Sequence, residues 1–210
     1  MRSIFIAPIV VAVAALASGG AAAAGDAAKG QAAARVCVSC HGAEGISRFP
    51  DIPHLAGQNQ AYLVATINAL RRSGLGQDLS GRLARRSDVT MEHQAVGSTA
   101  KDIEDIASYY SSLACAMPTS AGGERMPAVG GRCVSCHGEG GRSVTVTVPR
   151  LAGQHRVYLE NQLKAFQNTT SGAAGQRRER FHPMMSRQDK KLTDDDIVTL
   201  AGYFAHQPCQ

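Results

Sequence analysis

The chain has 210 residues, a formal net charge of +5 and a sequence pI near 9.0. Nucleic-acid-binding proteins with such a basic surplus usually concentrate lysine or arginine in segments that also contain aromatic side chains. No segment of this sequence has that composition, and aromatic residues make up only 5% of the chain. The composition therefore gives no support to a nucleic-acid partner.

Residues 1–24 have the layout of a secretory signal peptide. Arg2 precedes a mostly apolar stretch over residues 4–16, and small residues then continue to Ala24. The apolar stretch is shorter than the ~20 residues that a helix needs to span a bilayer. We expect cleavage after Ala23 or Ala24, which leaves a soluble protein in the periplasm, an oxidising compartment.

The rest of the sequence is an internal duplication. Cys-Val-Ser-Cys-His-Gly begins at Cys37 and again at Cys133, and Pro-x-Leu-Ala-Gly-Gln begins at Pro53 and again at Pro149, so both motifs recur after 96 residues. Two copies are too few for a solenoid. We therefore predict two tandem domains. They are a domain 1 over residues 25–115, a linker rich in Pro, Ser and Gly over 116–123, and a domain 2 over 124–210.

Three helices are predicted in the first copy. Asp26 can cap an alanine-rich helix that ends at the first cysteine pair. Residues 60–72 have apolar side chains at helical spacing and precede the helix-breaking pair Ser73-Gly74. Thr99 marks the start of the last helix, in which apolar residues recur every three or four positions.

The second copy is predicted to follow the same plan with an irregular beginning. Residues 120–132 contain four glycines and Pro127, so we expect its first helix to be short or distorted. Residues 144–148 alternate like a strand but have no evident strand partner, and we expect a loop there. Thr193, followed by three aspartates, starts the last helix.

Each copy contains Cys-x-x-Cys-His, the attachment signature of c-type haem. On a helical turn the two thiols and the imidazole project to one side, where they can meet two vinyl groups and the iron. A redox Cys-x-x-Cys or half of a zinc site is the alternative, but zinc needs a further ligand pair that neither copy contains. We expect two covalently attached haem c groups. Their attachment cysteines are Cys37, Cys40, Cys133 and Cys136, and their iron-binding histidines are His41 and His137.

The sixth iron ligand distinguishes an electron carrier from a catalyst with an open site. Met91 and Met185 are 94 residues apart, which is the offset that aligns the two last helices, and we place both in loops before those helices. We expect both to bind iron, although a loop methionine can also simply fill a gap in the core. Histidine ligation is the alternative, with His54 and His93 in the first copy and His155 and His182 in the second.

The motifs together resemble the dihaem cytochrome c4 family, whose members consist of two class I cytochrome c domains. The resemblance rests on Gly-Asp-Ala-Ala-Lys-Gly-Gln at 25–31, the twin Pro-x-Leu-Ala-Gly-Gln segments, and Asp-Ile-x-x-Ile/Leu-Ala-x-Tyr in both last helices. It implies an all-α fold, with about three helices around one haem c in each domain. It also implies that the carbonyls of Pro53 and Pro149 bond the axial imidazoles. Basic residues near the haem propionates would be Arg85, Arg86, Arg177, Arg178 and Arg180.

The same resemblance implies an electron carrier, not an enzyme, that works between a quinol-oxidising bc-type complex (quinol–cytochrome c reductase) and a terminal oxidase. Two other functions stay open. One is the electron-accepting cytochrome subunit of a periplasmic dehydrogenase, and the other is a dihaem peroxidase, which would leave one iron without a protein sixth ligand. We expect redox proteins as partners and a monomer, and we leave peripheral association with the membrane open.

Cys115 and Cys209 are the two cysteines outside the haem motifs. They follow the last helices at equivalent places of the two copies. In an oxidising compartment two leftover cysteines usually form a disulfide. We expect this bond if the domains pack about a pseudo-twofold axis with both ends close to it. The alternative is that each is a small buried hydrophobic residue in its own domain.

Overall fold

The computed structural model describes residues 25–77, 85–118, 124–170 and 180–209. The expected signal peptide and residues 119–123 of the expected linker lie outside these ranges. The described part of domain 1 contains α1 (Ala27–Ala33), α2 (Val38–His41), α3 (Gln60–Gly74), β1 (Arg85–Arg86), α4 (Val89–Val96) and α5 (Ala100–Ser112). That of domain 2 contains α6 (Gly131–His137), α7 (Arg156–Thr170), β2 (Arg180–Phe181), α8 (Met185–Asp189) and α9 (Asp194–Ala205). The all-α class is therefore confirmed, with one very small sheet.

The helix starts lie where the sequence places them. The carboxylate of Asp26 accepts hydrogen bonds from two backbone N–H groups of α1. Thr99 and Thr193 each form a capping box at the start of α5 and α9, with the aspartate three residues on. These side chains satisfy N–H groups that would otherwise lack an intrahelical partner.

Each domain has its own hydrophobic core, formed by its long helices. In domain 1, α1 packs so closely on α5 that a Cβ at Gly30 would lie 1.9 Å from the Asp105 carbonyl oxygen. The buried core of domain 1 consists of Ala34, Leu63, Ile106, Ala107 and Tyr110. The corresponding core of domain 2 consists of Tyr158, Leu159, Leu200, Ala201, Tyr203 and Phe204. The long helices thereby fix the short segments that carry the cysteine motifs.

The first helix of domain 2 is irregular, as the glycines and Pro127 predict. A 3₁₀ turn over Ala128–Gly130 leads directly into α6, so no counterpart of α1 precedes it in the described residues. The turn packs on α9, because a Cβ at Gly130 would lie 2.9 Å from a methyl carbon of Leu200. The core contact that α1 makes in domain 1 is made here by a shorter segment.

One feature differs from the sequence expectations. Met91 and Met185 lie on helices, α4 and α8, and not in loops. Asp88 starts α4 by accepting a hydrogen bond from the Met91 N–H group at 3.1 Å. Residues 144–148 do form a loop, and they pack against domain 1: the Tyr62 N–H group donates to the Val146 carbonyl oxygen at 3.1 Å.

The domains meet through equivalent residues of the two copies. Strands β1 and β2 pair antiparallel, with Arg85 opposite Phe181 and Arg86 opposite Arg180. Cys115 and Cys209 form a disulfide with their α carbons 6.2 Å apart, which confirms the expected pairing. An interface formed by the same positions on both sides has approximate twofold symmetry. No helix in the described ranges is long and apolar enough to cross a bilayer.

Candidate haem sites

In domain 1, the cysteine motif forms a turn and a short helix that direct its histidine side chain into the protein. Cys37 ends a 3₁₀ turn and Cys40 and His41 lie on α2, with neither cysteine in a disulfide. The His41 side chain is only 4% exposed, and its Nδ1 lies 2.9 Å from the Pro53 carbonyl oxygen. A carbonyl oxygen only accepts, so Nδ1 carries the proton and Nε2 keeps its lone pair.

The same arrangement occurs in domain 2. Cys133 and Cys136 lie on α6 and are not disulfide-bonded, and His137 at the end of this helix is 5% exposed. Its Nδ1 donates to the Pro149 carbonyl oxygen at 2.9 Å. The proline contacts that the family resemblance implies are therefore present in both copies. Such a bond fixes the tautomer and the orientation of a metal-binding imidazole.

The electrostatic setting keeps both imidazoles neutral, which is the form that binds a metal. Burial lowers the pKa of His41 and of His137, and the hydrogen bonds to Pro53 and Pro149 only partly oppose this effect. The Nε2 atom of His41 is buried and has no hydrogen-bond partner among the described residues. A buried polar atom without a partner is costly unless something else binds it. His41 can therefore bind an iron through Nε2, and the two thiols of its motif can hold a haem covalently.

The methionines differ in how much of their side chains is exposed to solvent. Met91 and Met185 are half-buried on α4 and α8, whereas the neighbouring Met184 is 56% exposed. A half-buried thioether competes with less water for the iron than an exposed one does. This difference favours Met185 over Met184 as the ligand in domain 2.

Two of the rival histidines are engaged with each other. The rings of His54 and His155 contact each other across the domain interface, with centroids 3.9 Å apart and planes tilted by 39°. His54 Nδ1 accepts from the Ser47 N–H group at 3.0 Å, and His155 Nε2 lies 3.0 Å from the Ser47 carbonyl oxygen. His93 and His182 lie exposed beside the methionines. Their ring contact and hydrogen bonds thus give His54 and His155 a role in joining the domains.

Arginines reach the interface from both domains. Arg86 is half-buried and donates to the Tyr158 hydroxyl at 2.8 Å, and Arg180 donates to the Tyr62 hydroxyl at the same distance. Arg85 is exposed with its guanidinium over the Phe181 ring. Two further arginines that the resemblance singled out lie outside the described residues. They are Arg177 and Arg178.

Sequence reasoning missed Gln58 and Gln154, which bond the other domain next to the two prolines. Gln58 Oε1 accepts from the Arg150 N–H group at 2.8 Å, and Gln154 Oε1 accepts from the His54 N–H group at 2.9 Å. The only signal in the sequence was that both glutamines end the repeated Pro-x-Leu-Ala-Gly-Gln segment. Their contacts cross between copies, which a repeat alone does not reveal.

Comparison with known proteins agrees with this geometry. The family model described as Cytochrome c matches residues 27–114 and 128–207. A cytochrome c4 from Pseudomonas aeruginosa is 34% identical over 193 residues, which cover 83% of this chain and 85% of that protein. A "thiosulfate dehydrogenase electron acceptor" from Thiomonas intermedia is 30% identical over 187 residues, with 82% and 78% covered.

Similarity to solved structures supports the same fold. The crystal structure of reduced recombinant cytochrome c4 from Pseudomonas stutzeri superimposes with a TM-score of 0.69 at 28% identity, covering 88% of this chain and all of that one. Thiosulfate dehydrogenase from Marichromatium purpuratum gives a TM-score of 0.66 at 28% identity, with 87% of this chain and 40% of that one covered. The chain therefore belongs to the cytochrome c family, as a dihaem cytochrome c4-like electron carrier with two covalently bound haem c groups.

Proposed function

We propose that each domain holds its haem through the residues of its own cysteine motif and one methionine. In this proposal domain 1 comprises residues 25–115 and domain 2 comprises residues 124–210, and residues 116–123 link them. The observation that carries it is the buried, neutral imidazole of His41 with an unpartnered Nε2 and a bonded Nδ1. Haem 1 would be held by Cys37, Cys40, His41 and Met91, and haem 2 by Cys133, Cys136, His137 and Met185.

Each haem supplies an iron that alternates between the ferric and ferrous states. The chain attaches the ring through two thiols, orients His41 and His137 through the proline carbonyls, and excludes water from the histidine side. Histidine with methionine gives a higher potential than two histidines, which suits a carrier on the path to an oxidase. Because Met91 and Met185 would each give an iron its second protein ligand, neither iron would be open to a substrate, and we assign no enzymatic activity.

For the physiological route, we propose transfer from a quinol-oxidising bc-type complex to a terminal oxidase, in the periplasm and as a monomer. The route is supported by likeness to cytochrome c4 proteins over more than four fifths of the chain. A second candidate is an electron acceptor for a periplasmic dehydrogenase. Its support is likeness to two thiosulfate dehydrogenase electron acceptors and to a thiosulfate dehydrogenase structure.

A potentiometric titration with optical detection, repeated under carbon monoxide, tests the carrier assignment. We expect two one-electron transitions and essentially no carbon monoxide binding by the native reduced protein. Stoichiometric binding at one iron would instead support a peroxidase-like site. The two routes are distinguished by measuring how fast the oxidised protein is reduced by a purified bc-type complex with quinol and by thiosulfate dehydrogenase with thiosulfate.

A further inference from the structure

In domain 1, the peptide group that orients the axial histidine is held from its other side by domain 2. The Pro53 carbonyl oxygen bonds His41 Nδ1, and the N–H group of the same peptide, which belongs to His54, donates to Gln154 Oε1 at 2.9 Å. Gln154 Nε2 also donates to the His54 carbonyl oxygen at 2.9 Å. The Gln154 side chain is 7% exposed. A single peptide group therefore connects His41 to a buried amide of the other domain.

The reverse contact exists in domain 2. The Pro149 carbonyl oxygen bonds His137 Nδ1, and the Arg150 N–H group of the same peptide donates to Gln58 Oε1 at 2.8 Å. Gln58 Nε2 donates to the Arg150 carbonyl oxygen at 2.9 Å, and its side chain is 8% exposed. Each axial histidine thus has a hydrogen-bonded connection to a glutamine of the opposite domain.

We propose that Gln154 is a positioning residue for haem 1 and Gln58 a positioning residue for haem 2, each acting from the other domain. This inference rests on the proposed function, in which His41 and His137 bind iron. It adds that the potential of each haem depends partly on a side chain of the domain that holds the other haem.

The physical reason is polarisation along a chain of hydrogen bonds. An amide whose N–H group donates a hydrogen bond has a more electron-rich carbonyl oxygen, which is a stronger acceptor. A stronger acceptor draws the proton on His41 Nδ1 and makes Nε2 a better donor to the iron. Greater donation stabilises ferric over ferrous iron and lowers the midpoint potential. Loss of the glutamine oxygen should therefore raise the potential of the opposite haem.

The test uses the holoprotein with Gln154→Met or Gln58→Met, which keep the side-chain length and remove both polar atoms. We expect Gln154→Met to raise the midpoint potential of haem 1 more than that of haem 2, and Gln58→Met to do the reverse. Hyperfine-shifted ring signals of His41 and His137 in the ferric protein assign each potential to its haem. In the ferrous protein, the His54 amide proton should shift upfield in Gln154→Met, because it loses its acceptor.

Asn59→Leu is the matched control. Asn59 Nδ2 also crosses the interface, donating to the Val148 carbonyl oxygen at 2.6 Å and to that of Thr145 at 3.1 Å, but it bonds neither the Pro53–His54 nor the Pro149–Arg150 peptide. A purely structural role for the glutamines predicts that all three variants change both potentials alike. The crossed role predicts that Asn59→Leu leaves the two potentials unchanged.

Rescue by the conservative variant completes the design. Gln154→Glu keeps an acceptor oxygen and adds negative charge, so the potential of haem 1 should return to the wild-type value or fall below it. If the methionine variants do not fold with their haems bound, Gln154→Glu still tests whether Gln154 affects the potential of haem 1. A larger shift in the haem of the altered domain, equal shifts in both, or no shift would overturn the proposal. Failure of the proposed function appears separately, as a wild-type ferric spectrum without two histidine-ligated low-spin haems.

Discussion

The guanidinium of Arg86 in domain 1 donates a hydrogen bond of 2.8 Å to the hydroxyl of Tyr158 in domain 2. Its counterpart Arg180 makes the equivalent bond back to Tyr62. The two tyrosines lie at matching positions of α3 and α7, and the arginines lie on the paired strands β1 and β2. Charged donors make stronger hydrogen bonds than neutral ones. The crossed pairs therefore help to hold the two domains together.

Tyr158→Phe should weaken this junction. The variant removes the hydroxyl that accepts from Arg86 and leaves the ring in place. Loss of a buried partner of a charged donor should lower the free energy of unfolding by about 1–3 kcal/mol. Denaturant titration of the holoprotein measures the change. Tyr109→Phe is the control, because its hydroxyl donates to Ala43 within domain 1; an equal loss in both variants would contradict a special role for the crossed pair.

The capping box of α9 gives a prediction about pH. The backbone N–H group of Thr193, and next its hydroxyl, hold the pKa of Asp196 below its ordinary 3.8. Because the folded value is lower, the unfolded chain binds more protons in acid. The stability that this carboxylate contributes is therefore present above the ordinary value and is lost as the pH falls through the folded one.

Thr193→Val removes the hydroxyl and should raise the pKa of Asp196, while the remaining backbone bond still holds it somewhat low. An NMR titration of the side-chain carboxyl carbon measures this shift. Thr99→Val is the matched control: the Thr99 hydroxyl and then its N–H group lower the pKa of Asp102, so that variant should affect Asp102 and leave Asp196 unchanged. An unaltered Asp196 titration in Thr193→Val would show that the hydroxyl bond is not formed in solution.

The sequence predicted those features that depend on local chemistry. Asp26, Thr99 and Thr193 cap helices through atoms three residues away at most, so single-sequence reasoning finds them. The distortion before α6 follows from Pro127 and its neighbouring glycines in the same way. The disulfide was predictable because covalent pairing of two leftover cysteines has few alternatives.

The remaining features depend on contacts that are distant in sequence. Helices α4 and α8 have eight and five residues, too few to show a helical period, so Met91 and Met185 were expected in loops. The bonds of Gln58 and Gln154 join residues 92 and 100 positions apart. A repeat shows which residues are equivalent, but it does not show that equivalent residues contact each other across an axis.

The assignment of the sixth ligands predicts distinct spectra for three variants. Met91→Ala and Met185→Ala should each abolish the methionine-to-iron charge-transfer band of one haem and open that iron to carbon monoxide. Met184→Ala is the control, since its side chain is mostly exposed, and it should leave both bands intact. If Met184→Ala removes a band and Met185→Ala does not, the 94-residue alignment that pairs Met91 with Met185 is wrong.

The bond between Cys115 and Cys209 closes a loop that contains the linker and nearly all of domain 2, with a sequence separation of 94 residues. Gly57 packs directly on it, since a Cβ there would lie 2.7 Å from the Cys115 Cβ. On the chain-entropy model such a crosslink stabilises by about 4.6 kcal/mol, so the double variant Cys115→Ala, Cys209→Ala should unfold at a clearly lower denaturant concentration while keeping both haem spectra. Thiol labelling of the denatured, unreduced wild-type protein should find no free cysteine, because the other four hold the haems. Two labelled thiols would mean that, apart from the linker, only non-covalent contacts hold the two domains together.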